Sequence, residues 1–147
     1  MSGSQISDRI RASGLRPTRA RTLILQELDR RQDHPTAEQL LEATRDDDRP
    51  LSTATLYQNL VRLTEAGLVR RFSGQGGVMR FEANLAPHHH LVCSRCGRVS
   101  DADLDDKQVR RLKPVELGTG APITDWKLQT AQIELSGLCP TCQADEA

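Results

Sequence analysis

Apolar residues recur at helical spacing through the first half of the chain, then change to strand-like alternation. Ile6 and Ile10, with Leu15 beyond them, predict a short first helix that ends at Gly14. Pro17 suits the first turn of a second helix, whose apolar face is Leu23, Ile24, Leu25 and Leu28. His34-Pro35 interrupts the pattern, and Thr36 is placed to cap a third helix carrying Ala37, Leu40 and Leu41. The run Asp46-Asp47-Asp48-Arg49-Pro50 reads as a solvated loop. A fourth helix starts at Ser52 or Thr53, buries Leu56, Leu60 and Leu63 with Val61 on the flank, and runs to Ala66 before the helix stop Gly67. The period then becomes two. Leu68–Phe72 and Val78–Glu82 read as paired strands about the turn Ser73-Gly74-Gln75-Gly76-Gly77. Helices followed by a hairpin predict a winged helix-turn-helix, with the fourth helix as reader and the glycine-rich turn as wing tip.

Residues 83–87, containing Asn84-Leu85-Ala86-Pro87, read as a linker between this module (1–82) and a second (88–147). The second opens with a strand over His88–Cys93, followed by a turn and Val99–Asp101. A helix is expected from Asp105 to about Glu116, a turn at Gly118-Thr119-Gly120, and renewed alternation across Ile123–Leu138. The fold class is therefore α+β: an N-terminal winged helix-turn-helix followed by a small α/β unit.

Composition narrows the picture. With 147 residues, 37% hydrophobic but only 3% aromatic, the core must be built mainly from aliphatic side chains. Cores of that size are marginal, which gives a structural metal a stabilising role. No apolar run is long enough for a membrane span, and Met1-Ser2-Gly3-Ser4-Gln5 lacks the apolar region of a secretory signal. The expectation is a soluble cytoplasmic protein without membrane partners. Net formal charge is zero, but Arg9, Arg11, Arg16, Arg19 and Arg21 crowd the amino end against Asp8 alone.

The four cysteines form two knuckles, Cys93-Ser94-Arg95-Cys96 and Cys139-Pro140-Thr141-Cys142. Four thiolates in that spacing are what a tetrahedral structural Zn(II) site needs. Two redox-active pairs are the alternative, though such motifs normally open a helix beside a strand. A disulfide framework is weaker still for a chain kept in a reducing compartment. Beside the first knuckle, His88 and His90 share one strand face while His89 takes the other. With His34, Glu82 and Asp101 they make three imidazoles and two carboxylates, a set suited to Fe(II), Mn(II) or Zn(II). The plainer reading is a capping His34 and a solvated histidine run. Because binding needs neutral imidazoles, metal response should weaken below about pH 6.5.

Thr53, Thr55, Tyr57, Gln58 and Asn59 lie in the first turns of the fourth helix, where a reading helix meets base edges and phosphates in double-stranded DNA. Arg16 and Arg19 are placed for phosphates or an adjacent minor groove, and Arg70 and Arg71 for the backbone beside the wing. An ordinary amphipathic helix in a protein-binding module is the competing reading. A zinc-ribbon adaptor and, less favourably, a metal-dependent hydrolase are the competing functions. For the hydrolase, the His-x-Glu and Pro-Cys-x-x-Cys pattern of zinc deaminases is missing, and no Ser/His/Asp set or phosphate-binding glycine loop stands out.

Taken in order, Leu15-Arg16-Pro17-Thr18-Arg19, His34-Pro35-Thr36-Ala37, Ala54-Thr55-Leu56-Tyr57-Gln58-Asn59-Leu60, Gly67-Leu68-Val69 and His88-His89-His90-Leu91-Val92-Cys93-Ser94-Arg95-Cys96-Gly97 resemble the ferric uptake regulator family over nearly the whole chain. The resemblance implies a homodimeric, metal-dependent transcriptional repressor, not an enzyme, acting on a pseudo-palindromic operator, with residues 88–147 as the dimerisation domain. It implies Cys93, Cys96, Cys139 and Cys142 as structural zinc ligands and His34, Glu82, His88, His90 and Asp101 as the regulatory site, holding Fe(II) or Mn(II), with Zn(II) able to substitute. Tyr57 matches a base-contacting tyrosine and Arg16 a basic residue ahead of the second helix. A further family site falls on Pro87, His89, Gln108 and Ala131, three of them poor ligands. Asp101 leans toward the peroxide-sensing branch and Glu82 away from it, which leaves iron, manganese and peroxide open as effectors.

Overall fold

The computed structural model describes residues 2–31, 33–45, 47–109, 111–127 and 131–145. Its order is α1 (Gly3–Ala12), α2 (Arg19–Arg30), α3 (Ala37–Ala43), α4 (Thr53–Glu65), β1 (Arg70–Ser73), β2 (Met79–Glu82), β3 (His89–Cys93), β4 (Val99–Ala102), α5 (Asp106–Val109), β5 (Glu134–Gly137) and α6 (Pro140–Ala144).

The helix boundaries follow from side-chain caps. Ser2 with Gln5 and Thr36 with Gln39 form reciprocal capping boxes ahead of α1 and α3. Ser52 caps α4 through the Thr55 amide. Thr18, not Pro17, starts α2: its hydroxyl accepts from the Arg21 amide, and the proline stays outside the helix. At the other end of α4, Gly67 takes a φ of 68°. That left-handed residue lets the Leu68 amide reach back to Leu63 O (2.9 Å) and the Gly67 amide to Thr64 O (3.0 Å).

Ile6, Ile10, Ile24, Leu25, Leu40, Leu56, Leu60 and Leu63 meet in one core that also takes in Leu68, Val69 and Phe81. Each fully buried aliphatic side chain contributes roughly 1.5–3 kcal/mol. β1 and β2 pair antiparallel as the wing, with Phe72 opposite Arg80. This is the winged helix-turn-helix. Beyond it, β3 is the central strand of a second sheet ordered β4-β3-β5, antiparallel to β4 and parallel to β5. The parallel pairing sets Gly137 beside Cys93, so the second knuckle emerges next to the first.

Three expectations for the second half need correction. The helix expected over 105–116 is only the single turn α5. Pro114 bars a helix from running on to 116, since the residue before a proline is pushed out of the helical region. The alternation expected over Ile123–Leu138 yields only β5, although Val115 and Pro122 form an isolated bridge, and residues 128–130 lie outside the described set. His88 precedes β3 rather than opening it. Asp46, in the expected solvated loop, also lies outside the described residues.

Candidate metal centres and reading helix

The four cysteine sulfurs converge within 4.8 Å of one another. The Cys96 and Cys139 sulfurs are 3.8 Å apart, the edge of a tetrahedron with about 2.3 Å metal–sulfur bonds, roughly 3.8 Å. That spacing is far beyond a disulfide. The second knuckle does open a short helix, with Cys139 at the cap position and Pro140 next. Its sulfurs nevertheless face the first knuckle. The Cys139 amide points at the Cys93 sulfur (3.4 Å), and Arg95 donates to Cys142 O (2.8 Å). Backbone N–H groups of Cys96 and Cys139 lower the Cys93 thiol to about 6. Burial and the neighbouring sulfurs push Cys142 up to about 12. One thiolate forms readily and the last proton is held by crowding, so a dication is the species that lets all four ionise together.

The second cluster joins the two halves. Nε2 of His34, His88 and His90, with one carboxylate oxygen each from Glu82 and Asp101, all lie within 4.8 Å of one another. His34 to Asp101 is 2.7 Å, His88 to Glu82 2.9 Å, His34 to Glu82 3.4 Å, His90 to Glu82 3.7 Å and His90 to Asp101 4.0 Å. Donors about 2.1 Å from one centre sit about 3.0 Å apart when adjacent and about 4.2 Å apart when opposed, so the set fits a single cation. The His88 and His90 Nε2 atoms are only 3.1 Å apart. His88 Nδ1 donates to Ala86 O at 2.8 Å. That tautomer leaves its Nε2 lone pair aimed into the cluster.

Glu82 supplies the test of fit. It is 5% exposed, and although Oε2 lies within ion-pair distance of three imidazoles and Oε1 of Arg70, neither has a well-directed hydrogen bond. A buried carboxylate left this way fits a cation held among these donors. Burial works to raise the Glu82 pKa. The neighbouring imidazoles of His34, His88 and His90 and the Arg70 charge together outweigh it, and the carboxyl sits below its usual range. Burial holds His90 below the ordinary imidazole value, in its neutral, metal-binding form. His34 itself has a φ of 50°, uncommon for a residue with a side chain. Asp101 is the open corner, its side chain 40% exposed and its other oxygen 3.3 Å from the Asn84 amide. Among the described residues no third group of metal donors is present. His89 instead accepts from the Ile133 amide (3.1 Å), Pro87 and Ala131 are exposed, and the Gln108 side chain lies outside the described set.

On α4, Thr53, Tyr57 and Gln58 are exposed, Tyr57 at 45%. Tyr57 donates to Glu38 (3.2 Å), Thr55 meets Ser52 (2.8 Å), and Asn59 bonds back to Thr55 O (2.8 Å). Arg16 is exposed, and Arg19 pairs with Asp47. Arg70, expected at a DNA backbone, donates to Leu85 O (2.9 Å) and lies 3.3 Å from Glu82, with its side chain 30% exposed. Two contributors to the site escaped the sequence reading, Phe72 and Arg80. The period of two carried the signal, because Arg80 has the same parity as Glu82 and so shares its strand face. No helix among the described residues is long and apolar enough to cross a membrane.

Comparison with known proteins agrees with this geometry. The chain is 31% identical to the peroxide-responsive repressor PerR of Staphylococcus aureus over 134 residues, covering 91% of this chain and 86% of that protein. Its fold matches the Helicobacter pylori ferric uptake regulator with a TM-score of 0.74 at 19% identity, covering 100% and 97% of the two chains. It matches the manganese-containing Pseudomonas aeruginosa ferric uptake regulator with a TM-score of 0.65 at 31% identity, covering 92% and 98%. The profile of the ferric uptake regulator family aligns with residues 12–134. This chain belongs to the ferric uptake regulator family.

Proposed function

We propose that the protein is a homodimeric, metal-dependent DNA-binding repressor of metal-uptake or peroxide-stress genes, working in the cytoplasm. Residues 1–82 form the reading domain, 83–87 the hinge, and 88–147 the dimerisation and metal-binding domain. Cys93, Cys96, Cys139 and Cys142 hold structural Zn(II). His34, Glu82, His88, His90 and Asp101 hold Fe(II) or Mn(II), with Zn(II) as a substitute. The observation that carries this reading is that His34 and Glu82 of the first half meet His88, His90 and Asp101 of the second in one cluster.

A bound cation supplies the positive charge that the two carboxylates and three neutral imidazoles otherwise lack. The residues then do the rest. His34 and Glu82 fix the α3 and wing side of the reader, and His88, His90 and Asp101 fix it against the second sheet. A thousandfold preference for the closed arrangement corresponds to about 4 kcal/mol of population shift. Leu91 and Leu135, paired in register on β3 and β5, leave an exposed apolar stripe that suits a second copy of the chain. In a two-fold dimer, closure sets the spacing of two α4 helices, so the operator is a pseudo-palindrome. Thr53, Thr55, Tyr57, Gln58 and Asn59 are the base-side candidates, with Arg16 and Arg19 on phosphates. An adaptor reading gives no role to a cluster that draws donors from both halves of the chain.

Selection from a random duplex DNA library, with and without Mn(II), tests this reading. The wild-type chain should enrich a pseudo-palindrome only with metal, and His90→Ala should enrich none while keeping its zinc. Equal enrichment with and without Mn(II) would overturn the assignment.

A further inference from the structure

Two wing residues outside both donor sets hold the second half of the chain. Phe72 on β1 and Arg80 on β2 are direct cross-strand partners, so their side chains share a face. The Phe72 ring stacks on His90 (centroids 4.3 Å apart, planes 14° from parallel) and meets His34 edge-on at 5.4 Å. Arg80 uses one terminal nitrogen for His34 O and the other for Gly97 O, each at 2.8 Å. Gly97 closes the first cysteine knuckle, its own amide donating to Cys93 O at 2.9 Å. One planar guanidinium therefore spans the His34 loop, the wing and the knuckle, a geometry a lysine ammonium does not reproduce. Gly74 leaves the room for it. A Cβ there would lie 3.0 Å from Arg80 Nε and 3.1 Å from its Cδ.

We propose that Phe72 and Arg80 form a latch, containing no metal ligand, that docks the wing on the first cysteine knuckle and sets how much of the chain is already closed before the bridging cation binds. The inference rests on the five-donor cluster being that bridging site. Apparent affinity is the intrinsic affinity scaled by the competent fraction. A variant that lowers the closed fraction about tenfold thus weakens cation binding about tenfold without touching a donor. Arg80 is a positioning residue, and it carries the state of the thiol knuckle to the imidazole cluster and the wing.

The full-length chain is compared with Arg80→Lys, which keeps the charge and loses one carbonyl, and with Gly74→Ala, which crowds the guanidinium without removing it. Three quantities are measured: zinc per chain, Mn(II) affinity by chelator competition, and chymotrypsin cleavage after the exposed hinge residue Leu85 in protein stripped of exchangeable metal. Cleavage of this kind tracks the open population. Both variants should keep their zinc, be cut about tenfold faster and bind Mn(II) about tenfold more weakly, with saturating Mn(II) restoring slow cleavage. Wild-type cleavage rates in both variants would overturn the latch even if Mn(II) affinity fell, because Arg80 would then act only by holding His34. Loss of zinc in both would also overturn it, making Arg80 part of the knuckle fold. If the wild type binds no Mn(II) yet the variants still open the hinge, the latch stands and the bridging-site reading falls.

Discussion

The thiol cluster and the imidazole–carboxylate cluster are equally compact, with every donor within 4.8 Å of its fellows, yet they are assembled in opposite ways. The thiols come from a turn and a short helix start that one parallel strand pairing brings side by side. Whenever β3 and β5 pair, the cluster exists. The second cluster draws on a loop before α3, the end of β2, the start of the second sheet and β4. It exists only while the helical first half is packed against that sheet. A site made by local turns stabilises a fold, and a site made by two packed bodies reports how they are placed. Their exposure agrees with this division: four donors of the bridging set are buried and Asp101 is open to solvent.

The most severe way to break the contrast is Cys96→Ser. Structural zinc contributes an apparent 10–16 kcal/mol or so, as much as or more than the whole stability of an ordinary domain. The variant should lose its zinc and the β3–β5 sheet with it, while the helical core around Leu56 and Leu63 persists. Zinc content read with amide NMR spectra of both halves checks this. A zinc-free chain with an intact second sheet would erase the distinction. Next in size is His90→Ala, expected to weaken Mn(II) binding by on the order of 100-fold or more with zinc unchanged, as judged by chelator competition.

Much of this contrast was legible in the chain before any coordinates. Knuckle spacing is a local pattern, and so are the apolar stripes of α2 and α4 and the caps Thr36 and Ser52. The five bridging donors were found by chemistry and resemblance, since nothing local links position 34 to position 101. What failed, failed for physical reasons. Pro114 bars the helix expected to run to Glu116, because a proline has no amide to donate and displaces the residue before it from the helical region. An arginine beside a wing has two uses, and the contacts of Arg70 to Leu85 O and Glu82 show one that no local pattern announces. Phe72 and Arg80 have no motif; their role appears when the hairpin register is set against the second sheet.

Acid should separate the two clusters. His90 is held below the imidazole value and Glu82 below the carboxylate value. In both cases the unfolded chain binds the proton more readily than the folded one, so stability rises with pH. The His90 contribution is present above about pH 6.5 and is lost as pH falls below it, and the Glu82 contribution goes at lower pH, beginning near 4.5. Cys93, lowered to about 6, is already largely thiolate at neutral pH. Mn(II) should therefore leave as pH falls below about 6.5 while zinc stays. Simultaneous release of both ions along a pH titration, followed by metal analysis after gel filtration, would mean that the clusters share one fate.

The smallest expected effect lies at the open corner. Asn84 holds the second oxygen of Asp101 at 3.3 Å, a long, partly exposed hydrogen bond. Such a bond contributes at most about 0.5–1.5 kcal/mol. Asn84→Ala should then weaken Mn(II) binding only about threefold, leave zinc untouched and leave thermal stability of the metal-free chain within about 0.5 kcal/mol. The reason is that Asp101 keeps its short contact to His34 (2.7 Å) through the other oxygen. A much larger loss, of the size expected for His90→Ala, would mean that the hinge residue orients the whole carboxylate. The open corner would then be as tightly built as the buried four.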